Sequence, residues 1–196
     1  YYLLADIIYN YYKDTWPLDM TVKTTGTFAF SRAELTTNRV TTNSILFMSR
    51  FTVGDKEAIR TVRLLAKTFP DYNILVQVKL GYPHDRDVPR YVDACKAGLK
   101  NVQYVTDPVY ELVLKTQYLV TDASTIISEA LQLAVPTFML DIIPNHETCI
   151  YREFDGLCHR TAEGIVQKIG AIMNRSEQYP FDDYAGLYNS SETIIY

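Results

Sequence analysis

The sequence predicts an α/β domain: a Rossmann-like parallel sheet of about six strands with helices on both faces. Three observations lead there. Short apolar or alternating runs recur at Ile45–Met48, Asn73–Leu80, Asn101–Val105, Tyr118–Thr121, Pro136–Leu140 and Gly156–Cys158. Several are apolar at successive positions, the pattern of strands covered on both faces. Segments with apolar residues at helical spacing lie between these runs, and such alternation builds parallel sheets with right-handed crossovers.

Composition agrees. The chain has 196 residues, 47% hydrophobic and 21% charged, enough to bury a core without disulfides or metals.

Taken in order, residues 1–13 (YYLLADIIYNYYK) place Leu3, Leu4, Ile7, Ile8 and Tyr11 at helical spacing. This predicts a helix ending near Asp14, because Pro17 disfavours helical geometry in the residue before it. Met20–Thr25 reads as a short strand broken by Gly26, and the polar stretch 31–43 as a linker. After the strand at Ile45, Gly54-Asp55 can cap a helix over about Lys56–Thr68, with Ile59, Val62, Leu65 and Ala66 on one face. A helix over Pro89–Ala97 follows the Gly81–Asp85 loop, and its Cys95 reads as core.

Pro108 suits the first position of a short helix reaching Lys115. Thr125–Leu133 is the next helix, and a long loop spans 141–155. Thr161, with Glu163 behind it, caps a last helix running to Met173.

Formal net charge is −4 and the pI about 5.4. With no basic stripe, the sequence excludes nucleic acid as the main partner. Three cysteines make no disulfide framework and suit a reducing compartment, so the expected location is cytoplasmic. No signal peptide and no apolar run of membrane-spanning length is visible. The chain opens on Tyr1 rather than Met and ends within an apolar pattern at 193–196, which leads us to expect a longer natural protein.

The segment that carries chemistry is YLVTDASTIISEALQLAVPTFML, residues 118–140. A strand ends at Thr121, and the chain turns through Asp122-Ala123-Ser124 into a helix. The first turn of a helix has unpaired N–H groups and the positive end of the helix dipole. With the hydroxyls of Ser124 and Thr125 beside it, that turn can cradle a phosphate. Glu129, about one turn on, can reach the hydroxyls of a ribose. The alternative is that Ser124 and Thr125 are ordinary helix caps and Glu129 a solvated surface charge.

The order strand, T-D-x-S-[ST], helix with E-A-L, then a strand opening on a small residue and Pro, resembles the donor-binding C-terminal domain of GT-B glycosyltransferases. It is similar to the enzymes of bacterial surface polysaccharides, including Kdo transferases and teichoic-acid-type polymerases. The non-hydrolysing UDP-GlcNAc 2-epimerases share the pattern. The resemblance covers about residues 44–173.

It implies a donor-nucleotide-binding domain over 44–173. Residues 1–43 would then be the tail of an acceptor domain with its linker, and 174–196 a C-terminal crossover segment. It also implies that Ser124 and Thr125 contact the phosphates of a nucleotide-sugar donor and Glu129 its ribose. The acceptor would be a glycan or lipid-linked molecule, completed by an N-terminal domain of the same protein, with peripheral association at the inner membrane face compatible with this. No cofactor and no metal are expected beyond the nucleotide-sugar substrate.

Further residues follow from the same resemblance. Arg50 and Lys56, in the loop after the first sheet strand, match a basic loop that flanks the donor diphosphate; the alternative for each is a solvated charge. His84 stands near a Lys-Pro-His-Pro motif of the family, but here Gly81 occupies the matching position and His84 comes three residues late. Thr106, with Asp107 and Pro108, falls where relatives hold the base through backbone. Asp141, Asn145, His146, Glu147 and Tyr151 fall in the loop near the donor sugar. His146, Cys149, Cys158 and His159 match no usual zinc spacing. Two rivals share the pattern: a nucleotide-sugar 2-epimerase or glycerophosphotransferase, and a non-catalytic binding domain.

Overall fold

The computed structural model describes residues 2–3, 11, 23–24, 41–49, 55–78, 87–142 and 149–188. Two short strands, β1 (Tyr2–Leu3) and β2 (Lys23–Thr24), pair in parallel. The helix expected over 1–13 is therefore corrected at its start, while Tyr11 is helical. Short apolar runs fit either period. Tyr2 and Leu3 take the extended form because Lys23 and Thr24 supply a ladder partner.

The main sheet contains β3 (Ser44–Ser49), β4 (Asn73–Val78), β5 (Val102–Tyr104), β6 (Tyr118–Thr121), β7 (Thr137–Leu140) and β8 (Cys158–His159). Its spatial order is β5-β4-β3-β6-β7-β8, and every pairing is parallel. The helices between strands are α1 (Asp55–Thr68), α2 (Val88–Lys96), α3 (Val109–Lys115), α4 (Ile126–Gln132) and, after β8, α5 (Ala162–Met173). Each expected strand and helix from Ser44 to Met173 is present, with its described ends within two residues of expectation; Lys79 and Leu80, expected at the end of the second strand, lie outside the described residues. The last strand moved most: Gly156 adopts a left-handed turn (φ +73°), so pairing starts only at Cys158.

Strand side chains alternate between faces, and the core divides accordingly. Ile45, Phe47, Tyr118 and Val120 join one cluster with Val62 and Leu65 of α1 and Ile165 and Ile169 of α5. Leu46 and Leu119 point the other way, to Leu112 and Val113 of α3 and Ile126 and Ala130 of α4. Every residue from Ile126 to Leu131 is buried. Such a helix needs cover on more than its sheet side, and a 3-10 turn at Asp182–Leu187 packs beside it.

Residues 174–188 belong to this packing. The Tyr179 hydroxyl donates to the Thr137 carbonyl, and the Tyr184 hydroxyl donates to the Asp155 carbonyl at 2.7 Å. Both rings are buried. Thr161 caps α5, its Oγ1 accepting from Gly164 N at 3.3 Å. An Arg152–Asp141 pair joins the turn at Ile150–Glu153 to the end of β7, with Nε to Oδ2 at 3.0 Å and Nη2 to Oδ1 at 2.9 Å.

The strand order sets where a ligand can sit. From β3 the chain moves outward through β4 to β5, then returns past β3 to lay down β6. The connections leaving β3 and β6 therefore diverge, and a crevice opens at their carboxyl ends.

Two stability outcomes follow. Phe138 is fully buried and meets Tyr179 edge-on, ring centroids 5.6 Å apart. Phe138→Ala should cost about 3–5 kcal/mol, read as a lower urea midpoint at unchanged slope. Ala134 closes α4 with φ at 53°, a conformation that disfavours a side chain. Ala134→Gly should relieve that strain and raise stability by about 0.5–1 kcal/mol in the same assay.

Candidate functional site

At that crevice lies a cavity of about 420 Å³. Met48 of β3 and Gln77 and Val78 of β4 form its sheet side. The loop after β5 and the start of α3 contribute Asp107 through Tyr110. Ser124, Thr125, Ile126 and Glu129 supply the third wall. Register accounts for the meeting: Met48 lies opposite both Gln77 and Thr121, so the ends of β3, β4 and β6 fall level.

Ser124, Thr125 and Glu129 are thus brought together as their spacing suggested. Thr125 takes the N-cap position, but with helical φ and ψ and no side-chain capping bond. The first helical amides to find partners are those of Ile127, to Ser124 O at 3.2 Å, and Ser128, to Thr125 O at 3.1 Å. The ordinary-cap alternative therefore does not account for the Thr125 hydroxyl.

Glu129 also departs from its bland alternative. It is only 8% exposed. Burial pushes its carboxyl up to about 7, opposed by a hydrogen bond from the Tyr110 hydroxyl. A buried carboxyl opening onto a cavity is a recurrent mark of a ligand site.

The wall is braced from behind. Gln77 Nε2 donates to Asp107 O at 2.7 Å, joining the end of β4 to the loop after β5. The Tyr151 hydroxyl donates to Ser124 O at 3.1 Å and holds the β6–α4 loop. Asp141 and Tyr151, expected near a donor sugar, do not line the cavity; they brace it.

The remaining site residues divide three ways. Arg50, His84, Asn145, His146 and Glu147 lie outside the described residues. Thr106 is exposed and does not line the cavity, which starts one residue later at Asp107. Lys56 faces a different, basic groove along α1 with Arg60, Arg63 and Lys67.

Gln77 and Tyr110 were missed. Gln77 lies at the end of β4 and Tyr110 in the first turn of α3, and only the sheet order brings them to the site.

Nucleophilic chemistry finds no support in the thiols. Burial pushes Cys95 to about 11 and Cys158 to about 12, so both stay protonated at neutral pH. Burial lowers the His159 imidazole below its ordinary value, and its Nε2 engages Gly156 O at 3.1 Å. Among the described residues, no three His, Cys, Asp or Glu side chains are placed to hold a metal ion. No described helix is long and apolar enough to cross a membrane.

The C-terminal domain of a glycosyl transferase group 1 family protein (LpcC) from Francisella tularensis superposes with a TM-score of 0.51 at 14% identity, covering 76% of this chain and 91% of that one. The fold is that of a GT-B C-terminal half.

The wall teichoic acid polymerase TagF gives a TM-score of 0.59 at 16% identity, over 95% of this chain and 51% of its own. The UDP-GlcNAc 2-epimerase from Neisseria meningitidis bound to UDP-GlcNAc gives 0.57 at 16%, over 91% and 53%. This chain therefore spans about half the length of those two GT-B-like proteins. No family model and no curated protein matches it.

The Glu129 carboxyl sets a pH dependence. Its folded value lies above the ordinary 4.5. Its protonated form therefore favours the fold at acid pH, and that contribution is lost as pH rises through about 7. Glu129→Gln should stabilise the unliganded protein by about 1–3 kcal/mol at pH 8.5. The difference from the parent should close below pH 5 in parallel urea titrations.

Proposed function

We propose that this chain is the donor-binding half of an enzyme using a nucleotide-activated sugar, in the manner of a glycosyltransferase of surface polysaccharide or glycoconjugate synthesis. The single observation carrying this reading is the buried Glu129 carboxyl opening, beside Ser124 and Thr125, onto the cavity at the β3–β6 divergence. Solved structures on this fold support it: the Neisseria protein is bound to UDP-GlcNAc, and LpcC is named a glycosyl transferase.

In the proposed arrangement the diphosphate lies against the Ser124–Ile126 turn. Hydroxyl and backbone donors there meet its charge. One helical turn further in, Glu129 accepts from the ribose hydroxyls. The base lies toward Asp107 and Pro108, within reach of backbone groups rather than of a reading side chain.

Catalysis in this reading is largely electrostatic. As the bond from sugar to diphosphate lengthens, negative charge grows on the leaving group, and donors already fixed around it lower the barrier. Arg50, two positions beyond Met48 in the chain, is proposed to add a positive charge there. The acceptor and any general base belong to the remainder of the protein.

A second reading, a nucleotide-sugar 2-epimerase, is favoured by the Neisseria neighbour. It uses the same donor site and differs in what the rest of the protein supplies. Full-length protein incubated with UDP-GlcNAc separates the two: the epimer forms without acceptor, whereas transfer requires one.

The site is tested by thermal shift with UDP, GDP, CDP, CMP and their sugars. At a concentration of 100 Kd the matching ligand should stabilise the protein by about 2.7 kcal/mol. Ser124→Ala with Glu129→Ala should weaken its binding at least about tenfold, since hydrogen bonds to charged groups are each worth about 1.5–3 kcal/mol. Unchanged affinity in the double variant would remove the site assignment, and no binding by the intact protein would favour a non-catalytic domain.

A further inference from the structure

We infer that Tyr110 is a positioning residue for Glu129, its phenol donating to the buried carboxylate across the gap between α3 and α4 and keeping it an acceptor turned to the cavity. The functional consequence rests on the nucleotide-binding reading above; the effect on Glu129 does not.

Three observations carry the inference. Tyr110 and Glu129 line the same cavity from different helices. The Tyr110 hydroxyl comes close enough to the Glu129 carboxyl to favour its charged form. Tyr110 is also 42% exposed, the exposed large apolar side chain among the described residues, while Leu112 and Val113 of its helix point into the core. Packing therefore does not explain why an aromatic ring stands at this position.

The surroundings of Glu129 explain what the phenol does. Its own helix, Ile126–Gln132, carries no other ionisable side chain. From β3 and β4 the cavity receives Met48, Gln77 and Val78, none of them charged. The loop after β5 brings Asp107, a second acid. No cationic residue is among the described residues lining the cavity.

Burial favours the protonated form of a carboxyl. The Tyr110 hydroxyl opposes it. A carboxylate offers about four acceptor positions, so one bond from Tyr110 leaves the others for two ribose hydroxyls. A protonated carboxyl has lost part of that capacity and competes as a donor.

The test uses the full 196-residue chain with its Glu side chains labelled at the carboxyl carbon. Glu129 is assigned by the signal lost in Glu129→Gln. In the parent its titration midpoint should lie near 7. In Tyr110→Phe the midpoint should rise by about one pH unit, the size expected for losing a hydrogen bond to a charged group. Tyr110→Gln, which keeps an N–H donor, should restore part of the difference and serves if the phenylalanine variant folds poorly.

With a bound nucleoside diphosphate such as UDP, affinity of Tyr110→Phe at pH 7 should fall about fivefold, following the lost carboxylate fraction, and recover by pH 9. A purely structural role would leave a deficit at every pH. A midpoint that stays put or falls in Tyr110→Phe overturns the inference. A midpoint that rises in a protein binding none of the nucleoside diphosphates upholds the Tyr110–Glu129 coupling and overturns the nucleotide reading instead.

Discussion

The structure depends on one constraint: a parallel sheet covered on both faces must send its crossovers to opposite sides of a shared strand pair. Here that pair is β3 and β6. Because β3 is laid first and β6 returns beside it, the loops leaving their carboxyl ends cannot follow each other. The gap is enforced by connectivity, and everything proposed for function occupies it. Neither a special cofactor motif nor an unusual backbone is needed to create the space.

What converts a gap into a site is the depth of Glu129. A carboxyl on a surface helix titrates in acid and is spoken for by water. Here α4 is buried along its length because the sheet covers it on one side and the 182–187 turn packs beside it. The side chain is therefore pressed toward the cavity with little water around it. Removing charge from solvent is costly, and natural domains keep such groups mainly where a ligand compensates. The braces behind the loop have the same logic. Tyr151 fixes Ser124 through its carbonyl, and the Arg152 fork holds the Tyr151 turn against β7, so the geometry of the wall does not depend on the ligand's arrival.

The sheet and its helices were legible because each is written locally. Ile45–Met48 and Tyr118–Thr121 are continuous apolar runs, and Ile59, Val62, Leu65 and Ala66 repeat at helical spacing. Ser124, Thr125 and Glu129 could be grouped for the same reason: one short helix and the turn that leads into it carry them. Gln77 and Tyr110 could not, because strand order alone brings the end of β4 and the start of α3 to that helix, and a single sequence does not state strand order.

Asp141 and Arg152 were invisible as a pair at a separation of eleven residues. Asp141 and Tyr151 were read as part of a loop near the donor sugar, and the bonds they make, to Arg152 and to Ser124 O, could not be read from their spacing. Tyr2 and Leu3 went astray where an apolar run was too short for its period to choose between helix and strand.

The two tyrosines beyond α5 bear on how this protein can be handled. Tyr179 and Tyr184 each bury a ring and spend a hydroxyl on a main-chain oxygen of the β7–β8 edge. A version trimmed at Met173, where the last α/β unit formally closes, would bare an aromatic-lined trough along that edge and leave α4 without its outer neighbour. Such a fragment would expose apolar surface that Tyr179 and Tyr184 cover in the longer chain. The smallest piece worth crystallising therefore runs through Leu187.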